Sequence, residues 1–527
     1  MSEAETRGQD SKVISSAKLI SFCILLSRFL GLAREVICAY IFGAGLVWDA
    51  FLIAFLIPNL FRKIFGEGAL TAAFVPIFID RLEKKGKDEA FRVLNIVITT
   101  LTVILSILVV VGIAITFIIP LITSYEKAVL TSDILRITLP FLLFICLAAI
   151  LGAALNSFNH FLAPAIAPVL YNAVFILALI FIAPSCKDTS KIYVAAWAVF
   201  IGGFVELLLQ FPPLIKRGLK FKPRLEPRND AVKEIYALLL PTILGLSLFQ
   251  INELMDYLIA EICIVGDGAV SALGYANRVM QLPLSLIGVA IATASFPALT
   301  TYITRQDRIG FASVLSKSLK TCLFISIPAS LGIMVLSEPI IRLLFERGEF
   351  TPEATERASF ALLFYASGIW CYCANQVLTR AFFAQKDTKT PVRISMYIVG
   401  LNFLLNITLV FWTPLKEAGI ALATAVSGCV NFVWLMTILK NRLIGLDTKS
   451  ITIMMLKSIT ASIIMALIAV ATLIFLVKSL VDRTLLNNSI LVIVPLTIAI
   501  AFYFLAAYLL KIEELRDVVG GFGKKKC

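Results

Sequence analysis

Apolar stretches of about 20 residues or more recur along the whole chain, divided by short polar runs. They fall near residues 13–41, 46–79, 93–119, 130–156, 163–184, 191–215, 233–264, 269–301, 314–340, 355–384, 391–412, 417–440, 452–478 and 487–511. Each is long enough to cross about 30 Å of hydrocarbon as a helix. Backbone groups cannot be left unpaired in lipid, so the pattern predicts about fourteen transmembrane helices. The period-2 alternation of a membrane barrel is absent. Composition agrees: the 527 residues are 59% hydrophobic, with a mean hydropathy of +0.93, against roughly 45–50% apolar residues in a soluble domain. The predicted class is an all-α polytopic membrane protein.

Charge sets the expected orientation. Lys and Arg concentrate on cytoplasmic loops, and here they cluster at 81–92, 216–233, 385–393, 440–457 and in the 521–527 tail, while the intervening loops (43–47, 184–191, 266–269, 413–417) carry few. Both termini are therefore expected inside. The net charge of +13 reads as this topology signal rather than as nucleic-acid binding. The start, Met1 to Lys12, is polar and mixed in charge, so no cleaved leader is expected. Ten scattered cysteines read as apolar fillers, and Cys371-Tyr372-Cys373 with a distant, single His160 has the wrong spacing for a zinc site. No metal is expected.

The chain also repeats itself. Gly43-Ala44-Gly45 recurs as Gly266-Asp267-Gly268, and Pro168-Val169 as Pro391-Val392; both pairs are offset by 223 residues. Two landmarks at one offset indicate duplication of a six-helix unit. Six is even, so both copies enter the membrane in the same direction, as in parallel-repeat transporters. The organisation expected is an N-terminal lobe at 1–215, a basic cytoplasmic linker at 216–232, a second lobe at 233–440, and two further helices with a basic tail at 441–527.

Against this background four cations stand out: Arg28 and Arg34 in the first stretch, Arg62 after the Pro58-Asn59 step in the second, and Arg278 in the eighth. At about 2.5–3.5 kcal/mol each on the mildest scale, they impose a standing cost of roughly 10 kcal/mol unless they share a wet, protein-lined cavity. Several cations facing one cavity describe a handler of anions. Guanidinium's fixed fork suits phosphate oxygens, which makes pyrophosphate a natural partner. Arg28 and Arg34, six residues apart, lie about 120° apart around a helix. Lys63 and Glu67, four residues apart, could pair along theirs. Asp256, with Asn252 and Glu253 close by, and Asn402 with Asn406 supply oxygens that could bind Na⁺ or carry a proton; interhelical hydrogen bonding is the alternative. There is no G-x-x-x-x-G-K-[ST] motif, so the chain is not expected to hydrolyse ATP. No nucleophile–base pairing emerges either, so neither an enzyme nor a cofactor is expected.

These residues carry a family resemblance. Ser27-Arg28-Phe29-Leu30-Gly31-Leu32-Ala33-Arg34-Glu35, Ile41-Phe42-Gly43-Ala44-Gly45 and Asp49-Ala50-Phe51 open it. Pro58-Asn59-Leu60-Phe61-Arg62-Lys63-Ile64-Phe65-Gly66-Glu67-Gly68-Ala69 and Ala73-Phe74-Val75-Pro76 complete the block, with Tyr275-Ala276-Asn277-Arg278 and Asp387-Thr388-Lys389-Thr390-Pro391-Val392 further on. The whole resembles the MurJ (MviN) family of lipid II flippases of bacterial peptidoglycan synthesis. The resemblance implies a multidrug/oligosaccharidyl-lipid/polysaccharide exporter fold in the bacterial inner membrane, with a cationic cavity that takes lipid II, an undecaprenyl-pyrophosphate-linked muropeptide. It implies that Arg28, Arg34, Arg62 and Arg278 are the cavity arginines and that Asp49 and Glu67 are functional acids; Asn59 joins them as a substrate contact. Where relatives commonly carry acids around the span-eight arginine, this chain has Asn277 and Gln281. The last two helices would help form a groove for the lipid tail.

Two other readings compete: an ion-coupled multidrug exporter of the same fold, and a membrane scaffold for cell-wall synthesis proteins. Cationic drugs call for acids in the cavity rather than arginines, and a scaffold has no need of buried cations. The coupling source (Na⁺, H⁺ or the membrane potential) stays open at this level.

Overall fold

The computed structural model describes residues 3–63, 70–226, 229–264, 266–443, 445–480 and 484–517. These residues form helices and short turns, with no strand among them. The helices are α1 (Glu3–Phe42), α2 (Leu46–Phe61), α3 (Leu70–Ile122), α4 (Glu126–Thr138), α5 (Phe141–Ser157), α6 (Leu162–Phe181), α7 (Lys191–Ile215), α8 (Asp230–Cys263) and α9 (Ala269–Pro283). After them come α10 (Ala290–Thr304), α11 (Arg308–Val335), α12 (Ser337–Phe345), α13 (Pro352–Ser367), α14 (Ile369–Ala384), α15 (Lys389–Trp412), α16 (Glu417–Arg442), α17 (Thr448–Ser479) and α18 (Leu485–Leu509). All fourteen apolar stretches fall on helices. By length and apolarity ten helices can cross a membrane, and the pair α13 and α14, bent by 44°, makes an eleventh. The other three stretches, 13–41, 46–79 and 233–264, fall on α1, on α2 with the start of α3, and on α8. Eleven crossings are thus counted among the described residues, against the fourteen expected; α2, at 16 residues, is short for a span.

Breaks within spans have local causes. Gly86, at φ 83°, divides α3 in the polar stretch between its apolar halves. Between α9 and α10 the chain makes a π-helical turn at Leu284–Val289. Outward faces are apolar: Val110, Val111 and Ile115 on α3 and Leu467 and Phe475 on α17 are exposed, whereas Asn402, Asn406, Ser458 and Ser462 are buried. That inversion suits lipid outside and hydrogen bonding inside.

The chain divides into two compact units, Met1–Gln250 and Ile251–Cys527. In the first, α6 packs on α1 and α7, α5 on α3 and α7, and α4 on α2, α3 and α7. In the second, α15 packs on α16, α14 on α11 and α16, and α13 on α9, α11 and α16. Apart from the packing of α6 on α1, these are the same pairings under the 223-residue offset, which carries Leu46 at the start of α2 onto Ala269 at the start of α9. The turns opening these helices use left-handed glycines, Gly43 at φ 64° and Gly266 at φ 100°. α17 and α18 pack on each other and on α11, outside the repeated pattern.

The basic linker is held. Asn95 on α3 donates from Nδ2 to the Lys220 carbonyl (2.9 Å) and accepts from the Lys222 amide (3.4 Å), and the Thr99 hydroxyl accepts from the Arg224 amide (3.1 Å). Arg92 adds an ion pair to Glu226 at 3.0 Å.

Candidate functional site

In the N-terminal unit the chemistry gathers around α1, α2, α4 and α6. Arg34 Nη2 lies 2.7 Å from Glu35 Oε1. Its guanidinium also sits over two rings of α6, 5.9 Å from the centroid of Tyr171 and 5.4 Å from that of Phe175, within reach for cation–π attraction. The neighbouring helix shapes this wall: a Cβ at Gly202 of α7 would lie 2.8 Å from Tyr171 Cδ2, so only glycine lets the ring stand there. Asn172, one residue on, donates to the Ser27 carbonyl at 3.4 Å and ties α6 to α1 beside Arg28, whose residue is exposed. Arg62 Nε donates to Asn59 Oδ1 at 3.1 Å, so the Pro58-Asn59 step orients this arginine. Glu67, and with it the expected Lys63–Glu67 pair, lies outside the described residues.

Asp49 is fully buried in α2, and Lys127 of α4 reaches it across 3.3 Å, with 3% and 0% of the two side chains exposed. Nothing local in the sequence marks this pair, because its members are 78 residues apart. A chain of rings runs from the turn inward: Phe42 stacks on Trp48, Trp48 on Phe51, and Phe51 meets Phe175 edge-on at 6.4 Å.

In the C-terminal unit Arg278 lies exposed on α9, beside Asn277, whose Oδ1 accepts from Gln281 Nε2 at 3.3 Å. The expected cluster of Asp256, Asn402 and Asn406 does come together. Asn406 Nδ2 donates to Asp256 Oδ1 at 2.6 Å and to Asn402 Oδ1 at 2.9 Å. Asn252 donates to Asp256 Oδ2 at 3.4 Å. Thr424 of α16 joins unforeseen, its hydroxyl 3.2 Å from the same oxygen. Turning the Asn402 amide over places its nitrogen 3.0 Å from Asp256 Oδ1 and 3.2 Å from Asn252 Oδ1. Asn406 Oδ1 is buried without a hydrogen-bond partner. One carboxylate among amide and hydroxyl oxygens is a donor set for a hard cation of low charge. Groups of three or more His, Cys, Asp or Glu able to hold a metal are absent among the described residues.

Sequence reasoning also passed over Arg380 of α14, whose guanidinium lies 5.7 Å from the ring of Phe296.

Two similarly packed helical units with polar groups inside and apolar faces outside describe a polytopic membrane protein, and its fold is that of the multidrug-exporter class. An inward-facing multidrug resistance MATE family transporter of the MOP superfamily superposes with a TM-score of 0.65 at 17% identity, covering 79% of this chain and 95% of that one. A closer likeness is the solved lipid II flippase MurJ in its inward closed conformation: TM-score 0.78, 28% identity, 95% of this chain and 99% of that chain covered. A Vibrio cholerae protein named "Probable lipid II flippase MurJ" is 34% identical over 436 residues, 80% of this chain and 81% of its own length. The family described as lipid II flippase MurJ matches residues 38–496. The chain belongs to the MurJ family.

Proposed function

We infer that this protein carries lipid II from the inner to the outer leaflet of the bacterial cytoplasmic membrane by alternating access. The observation that carries the reading is a set of arginines embedded in spans of a chain whose family is named for that substrate. In the N-terminal unit Arg28, Arg34 and Arg62 bind the pyrophosphate, with Asn59 orienting Arg62 and Asp49 and Glu67 shaping the site; in the C-terminal unit Arg278 is the arginine that contacts the substrate. The muropeptide follows the charged group, and the polyprenyl tail stays in lipid. No step needs bond making by the protein, in keeping with a transporter family rather than a catalytic one.

The oxygen cluster at Asp256 supports a coupling role: Asp256, Asn402 and Asn406, with Asn252 and Thr424, would hold Na⁺ in exchange for hydrogen bonds they otherwise make to each other. Both termini lie inside in this reading. The test is depletion of the protein in the living bacterium, with lipid II measured on each leaflet. Accumulation on the inner leaflet is expected, and unchanged distribution would leave the scaffold reading ahead. Tags at 86, 222, 388 and 445 should report cytoplasm and tags at 186 and 415 the outside.

A further inference from the structure

Side chains one residue apart leave a helix about 100° from each other, and such neighbours do not ordinarily face one another. Arg34 and Glu35 nevertheless meet at 2.7 Å. Glu35 is buried at 7% exposure, and the rings of Tyr171 and Phe175 flank the same guanidinium. A buried ion pair is about break-even for stability against apolar packing, so folding energy does not account for it. Its chemical effect is plain: a carboxylate occupies an edge of the guanidinium fork that a phosphate would use.

We propose that Glu35 is a built-in competitor for the substrate anion at Arg34 and thereby sets both release and selectivity. This rests on the flippase reading. An arriving pyrophosphate displaces the carboxylate from Arg34, and on departure the carboxylate takes the fork back. No bond is made or broken. An anion too weak to displace Glu35 is turned away, while a strong one is held loosely enough to leave, as transport requires. Glu35 acts through Arg34 and is a positioning residue.

The test uses full-length protein in nanodiscs, with farnesyl pyrophosphate and farnesyl monophosphate as binding probes, and lipid II turnover in proteoliposomes. Glu35→Gln keeps the shape and hydrogen bonding of the side chain and removes its charge. It should tighten pyrophosphate binding at least about tenfold, since like-charge juxtaposition costs several kcal/mol. The monophosphate should gain more than the pyrophosphate, and lipid II turnover should fall. Glu35→Asp restores the charge and should return the affinity toward that of the native protein. A purely structural Glu35 would give weaker or unchanged binding in the Gln variant, and that result overturns the proposal. If Arg34→Ala weakens binding while Glu35→Gln matches the native protein, only the competitor idea falls. If the native protein binds neither probe and the arginine variants transport lipid II normally, the flippase reading falls with it.

Discussion

In the N-terminal unit Lys127, near the start of α4, reaches Asp49 at the opening of α2. In the C-terminal unit Arg357, near the start of α13, donates to the Asp267 carbonyl just before α9 at 2.6 Å and to Glu417 at 2.5 Å. Each unit thus clasps the opening of its own second span with a cation from its fourth. The interiors, however, have diverged. At the 223-residue offset, Asp256, Asn402, Asn406 and Thr424 stand where the first unit has Ala33, Leu179, Ala183 and Ile201. Conversely, Arg34, Glu35, Tyr171 and Phe175 correspond to Tyr257, Leu258, Ile394 and Ile398. Helix pairings depend on many small contacts and tolerate exchange of single side chains. A polar site needs all its members together, so each survives in one copy only. The duplication has left one unit with a buried arginine–carboxylate pair between aromatic rings and the other with a carboxylate among amides and a hydroxyl.

The comparison breaks most visibly at the clasps. Lys127→Met takes the buried Asp49's ion-pair partner on α4 away, and should cost about 3–5 kcal/mol, seen as a lower thermal unfolding midpoint in detergent. Lys127→Met with Asp49→Leu should recover most of it. Arg357→Met should cost less, because 27% of the Arg357 side chain is exposed and water already screens its side of the pair with Glu417. Equal losses at the two sites would end the idea that burial separates them.

Next come the interiors. Arg28, Arg34, Arg62 and Arg278 changed singly to Ala should leave the protein inserted, since removing an intramembrane charge lowers the insertion cost. Lipid II transport should drop about 100-fold, the scale of losing a charge-assisted hydrogen-bond pair. Lys should rescue poorly wherever a bidentate grip matters. Four alanine variants that all support growth would contradict an anion site. Asp256→Asn should be milder, slowing transport by about tenfold, a loss of about 1.4 kcal/mol, and abolishing any Na⁺ or H⁺ dependence. If that dependence persists in the variant, the cluster is structural.

The smallest effect concerns Asp387, in the loop after α14. Partial burial opposes its ionisation, but hydrogen bonds from Thr390 and Arg442 outweigh this and lower its pKa to about 2. A depressed acid contributes stability that is complete above its unfolded pKa, near 4, and is lost as pH falls toward 2. The contribution should be under about 1 kcal/mol, because Arg442 is 43% exposed. Asp387→Asn should lower the unfolding midpoint slightly at pH 7, by that same contribution, and flatten its acid limb so that the variant and the native protein converge near pH 2.

Helix positions were legible because lipid imposes a length and an apolarity on every span, and Arg34, Arg278 and Asp256 announced themselves as charges in the wrong solvent. Even the Asp256 cluster was foreseeable in part, since Asn402 and Asn406 share one helix face. The partners of those charges were not. Lys127 and Thr424 meet carboxylates 78 and 168 residues away, and no local pattern encodes such a meeting. Nothing in the sequence marks Tyr171, which only the fold brings beside Arg34 and Gly202. Bends were hidden for a similar reason: the corner at Gly368 depends on Ala425, whose Cα would lie 2.9 Å from an added Cβ.

The π-helical turn at Leu284–Val289 has a genetic meaning. A turn of this kind houses one more residue than an α-helical turn does. Deleting one codon there would let the span run straight and would rotate everything before it by about 100°. Arg278 would swing from one wall to another while every charge in the protein stayed the same. Reading-frame-preserving deletions of a single residue, harmless in most loops, should therefore be lethal at this turn.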